Sequence, residues 1–142
     1  MKIIIAGSRS LKGGIKIIQN AVENSPFFEE ITEVVSGTAP GIDTLGEAWA
    51  ELNEIPIKQF PADWSNLKAP NSKIKNGKYG KYNAAAGMIR NKKMAEYADG
   101  AIILWDSKSH GTSNTITECI KNDIPCYVEV NNKSFFIKSR QL

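Results

Sequence analysis

The sequence predicts an α/β protein with a doubly wound, mainly parallel sheet of about five strands and helices on both faces of the sheet. The first observation behind this prediction is a regular alternation of short apolar runs with amphipathic stretches. The second is that loops rich in glycine, serine and threonine follow the apolar runs. In a parallel sheet such loops share the carboxyl edge, where ligands bind. A length of 142 residues suits a single domain spanning 1–142.

Five short apolar runs are predicted to be strands. The runs at 2–6 and 101–105 are the most continuously apolar, which indicates burial on both faces. In chain order the five strands are predicted at residues 2–6, 33–36, 56–60, 101–105 and 125–130. Near the end of the chain, Phe135, Phe136 and Ile137 could form an edge strand or pack on a neighbouring subunit.

Four amphipathic stretches between these runs are predicted to be helices. Ile15, Ile18 and Val22 keep helical spacing in the first of them. Asp43 stands at a good N-cap position for the second, with Glu47 one turn further on. In chain order the helices are predicted at about residues 11–24, 43–53, 87–98 and 113–122.

Residues 62–86 interrupt the alternation. This lysine-rich insertion contains proline, glycine, asparagine, lysine and tyrosine without clear periodicity, which predicts a long loop or lid before the third helix. Of the 18 basic residues of the chain, five lie between residues 68 and 81 with no acid among them, and the other 13 are outnumbered by 15 acidic residues. The net charge of +3 therefore belongs to this segment. The five are Lys68, Lys73, Lys75, Lys78 and Lys81.

Several classes of protein are excluded by simpler features. No apolar run approaches the roughly 20 residues that span a bilayer, so no membrane partner is expected. The first apolar run ends at Gly7 and Arg9, too early for a signal peptide, so we expect a cytoplasmic protein. Cys119 and Cys126 have neither CxxC spacing nor histidine neighbours. They are predicted to be buried or half-buried free thiols, and no metal site is expected.

The loop after the first strand predicts an anion site. The run Gly7-Ser8-Arg9-Ser10 presents backbone amides, two hydroxyls and a guanidinium at the point where a strand leads into a helix. That combination suits a phosphate.

The loop after the second strand has similar chemistry. Ser36 and Thr38 supply hydroxyl donors, while Gly37 and Gly41 allow the backbone to approach a ligand closely. The N-terminal dipole of the next helix points towards the same place. Asp43 has two interpretations here. It could only cap the helix, or it could accept a hydrogen bond from a ribose hydroxyl.

The third helix carries Arg90 in its first turn, followed by Asn91. A forked guanidinium at that position could clamp a phosphate or a carboxylate, and the alternative is an ordinary surface arginine. Replacing Arg90 with alanine is therefore expected to weaken ligand binding and to change thermal stability very little.

The loop before the fourth helix completes the pattern. Ser109, Gly111 and Thr112 form another anion cradle ahead of a helix. Trp105 ends the fourth strand, next to Asp106, and could stack on a base or pack into the core. The single histidine, His110, has no catalytic partner at a recognisable spacing.

Taken together, these motifs resemble the SLOG superfamily, which includes the Lonely Guy phosphoribohydrolases and the DNA-processing protein of natural transformation. The resemblance covers about the first 120 residues in order and is strongest to the YspA-like branch. It implies a Rossmann-like fold, a nucleotide or nucleotide-derived ligand and a homodimer or higher homo-oligomer. The motifs are GSRS at 7–10, VSGTAPGIDTLGEAWA at 35–50, FPADW at 60–64, AGMIRNKKMAEYAD at 86–99 and LWDSKSHGT at 104–112.

The sequence departs from the Lonely Guy enzymes at the position of one catalytic glutamate. Those enzymes carry an arginine in a helix like this one, which Arg90 matches, and then a PGGxGTxxE loop whose glutamate helps to cleave an N-glycosidic bond. Here no acid lies three residues after Thr112, and Glu118 is the nearest acid that follows.

Three functions are compatible with these features. The first is binding of a nucleotide-like signal, such as an ADP-ribose-like ligand, by a sensor or sequestering protein that needs no cofactor. The second is N-glycosidic hydrolysis of nucleoside monophosphates, with Asp43, Glu47, Arg90 and Glu118 as candidate catalytic residues. The third, less favoured, is single-stranded nucleic-acid binding by the lysines of the insertion with Tyr79 and Tyr82. The candidate ligand-binding residues are Gly7, Ser8, Arg9, Ser36, Gly37, Thr38, Gly41, Asp43, Arg90, Asn91, Trp105, Asp106, Ser109, Gly111 and Thr112.

Overall fold

A computed structural model describes residues 1–78 and 80–138 and arranges them around one six-stranded sheet. The strand order is β3-β2-β1-β6-β7-β8, and β4 and β5 form a separate two-stranded sheet. The strands are β1 (Lys2–Gly7), β2 (Glu33–Ser36), β3 (Ile57–Gln59), β4 (Ile74–Gly77), β5 (Gly80–Asn83), β6 (Gly100–Trp105), β7 (Cys126–Val130) and β8 (Lys133–Ile137). The helices are α1 (Ile15–Asn24), α2 (Ile42–Leu52), α3 (Ala86–Tyr97) and α4 (His110–Lys121).

The predicted α/β class is confirmed, with a mainly parallel, Rossmann-like sheet. Within the six-stranded sheet, the neighbouring strands β3, β2, β1, β6 and β7 pair in parallel. The edge strand β8 runs antiparallel to its neighbour β7. From β1 the chain builds outwards through β2 to β3, then returns to the other side of β1 to form β6. The direction of winding therefore changes between β1 and β6, and a crevice at their carboxyl ends is where ligands bind in such sheets.

Each face of the sheet packs against one pair of helices. Alternate residues of β1 belong to different clusters, since Ile3 and Ile5 pack with Ile18 of α1 and Trp49 of α2. Ile4 packs on the opposite face with residues of α3 and α4, among them Met94 and Cys119. Helices thus cover both faces, as the alternating sequence pattern predicts.

Two helices begin three or four residues away from the predicted start, and the local backbone explains both. Helix α1 starts at Ile15 because Gly13 has a φ of 149° and Gly14 is an extended N-cap, so the four residues before it are not helical. Helix α4 starts at His110, earlier than predicted, because the Ser109 side chain caps it by accepting from an amide of the first turn.

The lysine-rich insertion contains a hairpin, which corrects the expectation of an irregular loop throughout residues 62–86. Strands β4 and β5 pair antiparallel, with Gly77 opposite Gly80 at the turn. Every residue of β4 is exposed, so the strand carries no alternation of apolar and polar residues that sequence analysis could detect. Tyr79, one of the two tyrosines considered for stacking on nucleic acid, lies outside the described residues.

Hydrogen bonds of Asn83 connect this insertion to the start of α3. Its side chain is buried, with 1% exposure, and accepts hydrogen bonds from the amides of Lys73 (3.1 Å) and Ala85 (3.0 Å). It also donates to the Ser72 hydroxyl at 3.2 Å, and the Asn83 amide donates to the carbonyl of Trp64 at 2.6 Å. These hydrogen bonds tie Trp64, Ser72 and Lys73 to the start of α3, and closure of the insertion as a lid stays a prediction.

The remaining elements agree with expectation. Phe135, Phe136 and Ile137 form the edge strand β8, which pairs with β7. Cys119 and Cys126 are buried free thiols, as predicted. In the described part of the chain, no helix has the length and apolar character needed to cross a membrane.

Candidate functional site

A cleft of about 450 Å³ lies at the carboxyl ends of β1 and β6. It is bounded by the loops after β1, β2 and β6, by the first turns of α3 and α4, and by part of the insertion. Its lining combines two guanidinium groups and two carboxyl groups with small residues. The lining residues are Ala6, Gly7, Arg9, Ser10, Ala39, Asp43, Trp64, Ala84, Gly87, Met88, Arg90, Asn91, Met94, Asp106, Ser109, Gly111, Thr112 and Thr115.

Ser8 joins two of the loops that shape the cleft. Its side chain is buried, with 1% exposure, and its hydroxyl accepts from the Asp106 amide at 3.1 Å. The same hydroxyl lies 3.3 Å from the hydroxyl of Thr112. Buried hydroxyls paired in this way hold backbone segments in register, so Ser8 positions the loops after β1 and β6.

Asp106 makes a second connection between the same loops. Its carboxylate accepts from the Ser10 hydroxyl at 2.5 Å and from the amides of Lys108 and Ser109, each at 2.8 Å. These hydrogen bonds, led by that from Ser10, hold the pKa of Asp106 well below its usual range. The carboxylate is therefore ionised and already satisfied by donors of the protein.

Helix α4 begins at the cleft. Ser109 caps it, with the Ser109 hydroxyl accepting from the Thr112 amide at 3.4 Å. From α3, the Asn91 side chain donates to the Gly111 carbonyl at 3.3 Å and to the side chain of Asn114 at 2.9 Å. The positive end of the α4 dipole is thus held in a fixed place beside the cleft, which favours an anion there.

Arg90 connects α3 to two other segments of the carboxyl edge. Its Nη1 donates to the carbonyls of Gly37 and, at 3.5 Å, of Phe60, while its Nε donates to Asn91 at 2.8 Å. Nη2 makes no hydrogen bond to another described residue, so it is the donor that a ligand could use. Burial lowers the pKa of Arg90, and the nearby Asp43 partly offsets that effect. The guanidinium is partly buried and bound to two backbone carbonyls, which argues against the small effect on stability expected from the sequence.

Asp43 is not the N-cap of α2. Gly41 takes that position, with a φ of 93° that favours glycine, and Asp43 lies within the first turn. Its side chain is buried, with 5% exposure, and accepts from the Ala39 amide at 3.2 Å. Burial raises the pKa of Asp43 to about 6, although the Ala39 amide and the Arg90 guanidinium both lower it.

Arg90 and Asp43 both lie close to Gly37. A Cβ at Gly37 would lie 2.6 Å from Nη1 of Arg90 and 2.8 Å from Oδ2 of Asp43. Without a side chain at Gly37, the guanidinium and the carboxyl group can both lie next to the same stretch of backbone. They form no direct ion pair with each other.

Several predicted site residues lie beside the cleft rather than in its lining. Ser36 is buried, and its hydroxyl donates to Glu47 at 2.6 Å and accepts from the Thr38 amide. Gly41 lies in a neighbouring groove, and Trp105 donates to the Ser109 carbonyl at 3.0 Å while packing against the core.

The three candidate acids are separated by the fold. Asp43 lines the cleft. Glu47 does not, since its carboxylate accepts from Ser36 and from Gln59. Glu118 lies on α4 outside the lining, 3.9 Å from the Lys121 ammonium. No group of three or more His, Cys, Asp or Glu among the described residues could hold a metal ion.

Sequence analysis missed two large side chains of the lining, Trp64 and Met88. Trp64 lies in the insertion, more than twenty residues before α3, and no periodicity indicates which way it faces. Its place in the FPADW motif was the one available signal.

Comparison with known proteins supports the fold. No protein-family model matches the chain, and no curated protein sequence matches it. The fold is similar to that in the X-ray structure of DNA processing protein A (DprA) from Streptococcus pneumoniae, with a TM-score of 0.64 and 19% sequence identity. The similarity covers 89% of this chain and 49% of that chain, so this chain spans about half the length of that one.

Proposed function

We propose that the protein binds a nucleotide or a nucleotide-derived small molecule in the cleft, as a sensor or sequestering protein. A signalling nucleotide or an ADP-ribose-like ligand has the required chemistry. Membership of the YspA-like branch of the SLOG superfamily is part of the same proposal, and so is the assignment of the lining residues as ligand contacts.

One observation carries this proposal: two guanidinium groups and the capped start of α4 face one cleft at the change of winding direction. Arg9 and Arg90 are close enough for the charge of Arg9 to lower the pKa of Arg90. Placing like charges together costs free energy, which a bound anion would recover. The volume of about 450 Å³ also falls within the usual range for small-molecule sites.

We expect calorimetric titration with nucleoside mono- and diphosphates and NAD derivatives to identify a ligand. Arg9→Ala should weaken its binding about 10- to 150-fold, because a charged hydrogen bond contributes roughly 1.5–3 kcal/mol. Lys12→Ala is the matched control, since Lys12 is an exposed cation of the same loop outside the cleft lining. Absence of binding by the whole panel, or equal losses for Arg9→Ala and Lys12→Ala, would contradict the proposal.

A second candidate function is hydrolysis of an N-glycosidic bond, and the position of Asp43 favours it. A buried carboxyl group with a pKa of about 6, in a cleft suited to a nucleotide, can hold a proton for the departing base. In this mechanism Asp43 donates the proton, and the rate should fall as the pH rises above about 6.

This hydrolase candidate is tested by incubating the protein with nucleoside monophosphates and measuring the released base. Asp43→Asn should abolish release, whereas Glu47→Gln, on the same helix but outside the cleft, should retain it. No release by the unaltered protein at any pH from 4 to 8 would leave ligand binding alone as the function.

Self-association into a homodimer or higher homo-oligomer stays a proposal, and burial decides which apolar residues could support it. Met94 and Trp49 are buried in the two core clusters and are not available for an interface. Leu52 is 72% exposed, and Phe135 and Phe136 of the edge strand are also exposed. Light scattering over a range of concentrations measures the state directly.

A further inference from the structure

Two large apolar side chains line the cleft and are about half exposed. Trp64 comes from the insertion with 46% exposure, and Met88 comes from the first turn of α3 with 54% exposure. Solvent-facing apolar groups are ordinary when scattered singly, but these two share one concave surface with cationic side chains. An apolar, flat surface next to a cationic one matches the two chemically different halves of a nucleotide.

The fold holds Trp64 in this place. The Asn83 amide donates to the Trp64 carbonyl at 2.6 Å, and the buried Asn83 side chain ties the same segment to the start of α3. A Cβ at Gly87 would lie 3.3 Å from Cη2 of the indole, so the ring rests closely over this glycine. The backbone of Trp64 is therefore held next to the start of α3, and its indole lies close to Gly87.

The indole also lies next to the cationic part of the cleft. The same Cβ position at Gly87 is 3.9 Å from Nη2 of Arg90, the guanidinium nitrogen that no described residue occupies. A phosphate held by Arg90 would thus be close to a flat aromatic surface. Aromatic side chains stack on any nucleobase, and the flexible thioether of methionine adapts to such a ring.

We propose that Trp64 is the stacking platform for the base of the ligand, with Met88 packing against the same base. The site would then select nucleoside phosphates over sugar phosphates that lack a base. This inference rests on the proposed nucleotide-binding function and adds a residue that determines specificity. Two side chains are too small an apolar area for a stable interface with a second copy of the chain.

The experiment compares the affinities of AMP, GMP, CMP and UMP with that of ribose 5-phosphate by calorimetry. Trp64→Ala should weaken nucleotide binding about 5- to 150-fold, the equivalent of losing one stacked base, and leave ribose 5-phosphate binding unchanged. Trp64→Phe should restore part of the affinity. Leu67→Ala is the matched control, because Leu67 is a 40% exposed apolar residue of the same insertion outside the cleft lining.

The outcomes separate this inference from the function on which it rests. Nucleotide binding that Trp64→Ala leaves unchanged, or equal affinities of the unaltered protein for ribose 5-phosphate and the nucleotides, would overturn the role of Trp64 and leave an anion-binding cleft. Failure of every nucleotide to bind the unaltered protein would overturn both. Circular dichroism and the thermal midpoint of Trp64→Ala establish that the variant is folded.

Discussion

Replacing Arg90 with alanine is expected to lower both the free energy of unfolding and the affinity for nucleotide. The guanidinium donates to the carbonyls of Gly37 and Phe60 and to the side chain of Asn91, and these acceptors would lose their donor. Hydrogen bonds to charged groups contribute about 1.5–3 kcal/mol, which sets the expected loss of stability. A loss of similar size in binding, about 10- to 150-fold in affinity, is expected because Nη2 would no longer reach the ligand.

Two variants show which property of Arg90 matters. Arg90→Lys keeps the positive charge but loses the planar fork, so it should recover only part of the stability. Arg9→Ala removes an exposed guanidinium from the same cleft and should reduce affinity while leaving the urea midpoint unchanged. An Arg90→Ala protein as stable as the parent in urea denaturation would show that the carbonyl contacts carry no net free energy.

The stability of the protein should fall between pH 4 and pH 7 because of Asp43, and Asp43→Asn should remove that contribution. In the folded state the pKa of Asp43 is about 6, above the value of 3.8 that it takes when exposed. At a pH below both pKa values, the carboxyl group is protonated in the folded and in the unfolded chain, so its ionisation does not affect the free energy of unfolding. As the pH rises, the unfolded chain loses its proton first, so folding becomes less favourable until about pH 6. The full cost reaches about 3 kcal/mol at most.

Urea denaturation of both proteins from pH 4 to pH 7 measures this contribution, since other titrating groups cancel in the difference. An asparagine oxygen can still accept from the Ala39 amide, so the main packing contact is retained. The difference in unfolding free energy should change with pH in favour of Asp43→Asn. Glu47→Gln, in the same helix, should make the decline with pH smaller without abolishing it, because the charge of Glu47 helps to raise the pKa of Asp43. Profiles of the parent and of Asp43→Asn that run parallel would show that Asp43 ionises normally.

Much of the sheet could be predicted from the sequence because burial leaves a local pattern. Strands β1 and β6 are covered on both faces, so their sequences are apolar almost throughout. The convergence of the loops after β1, β2 and β6 followed from the parallel arrangement alone. The lining of the cleft that these loops enclose includes nine of the residues that the sequence analysis singled out as ligand contacts, from Gly7 to Thr112.

The parts that could not be predicted depend on contacts between distant residues. The hairpin of the insertion has an exposed strand, β4, and therefore no periodicity. Asp43 is a residue type that often caps helices, but Gly41, with its positive φ, occupies the N-cap position two residues earlier. Nothing local indicates that Arg90 contacts Gly37, 53 residues earlier in the chain, or that Trp64 and Met88 line the same cleft.

The sequence by itself determined the class of fold, the order of its elements and the edge at which polar loops gather. Each of these follows from the spacing of apolar residues within one strand or helix, and that spacing can be read from residues that are close together in the sequence. Only the tertiary structure decided that Asp43 is buried, that Arg90 is anchored to backbone carbonyls and that Trp64 lies at the cleft. Those properties arise when segments far apart in the chain pack together, because burial and hydrogen bonding then depend on the partner that each residue meets.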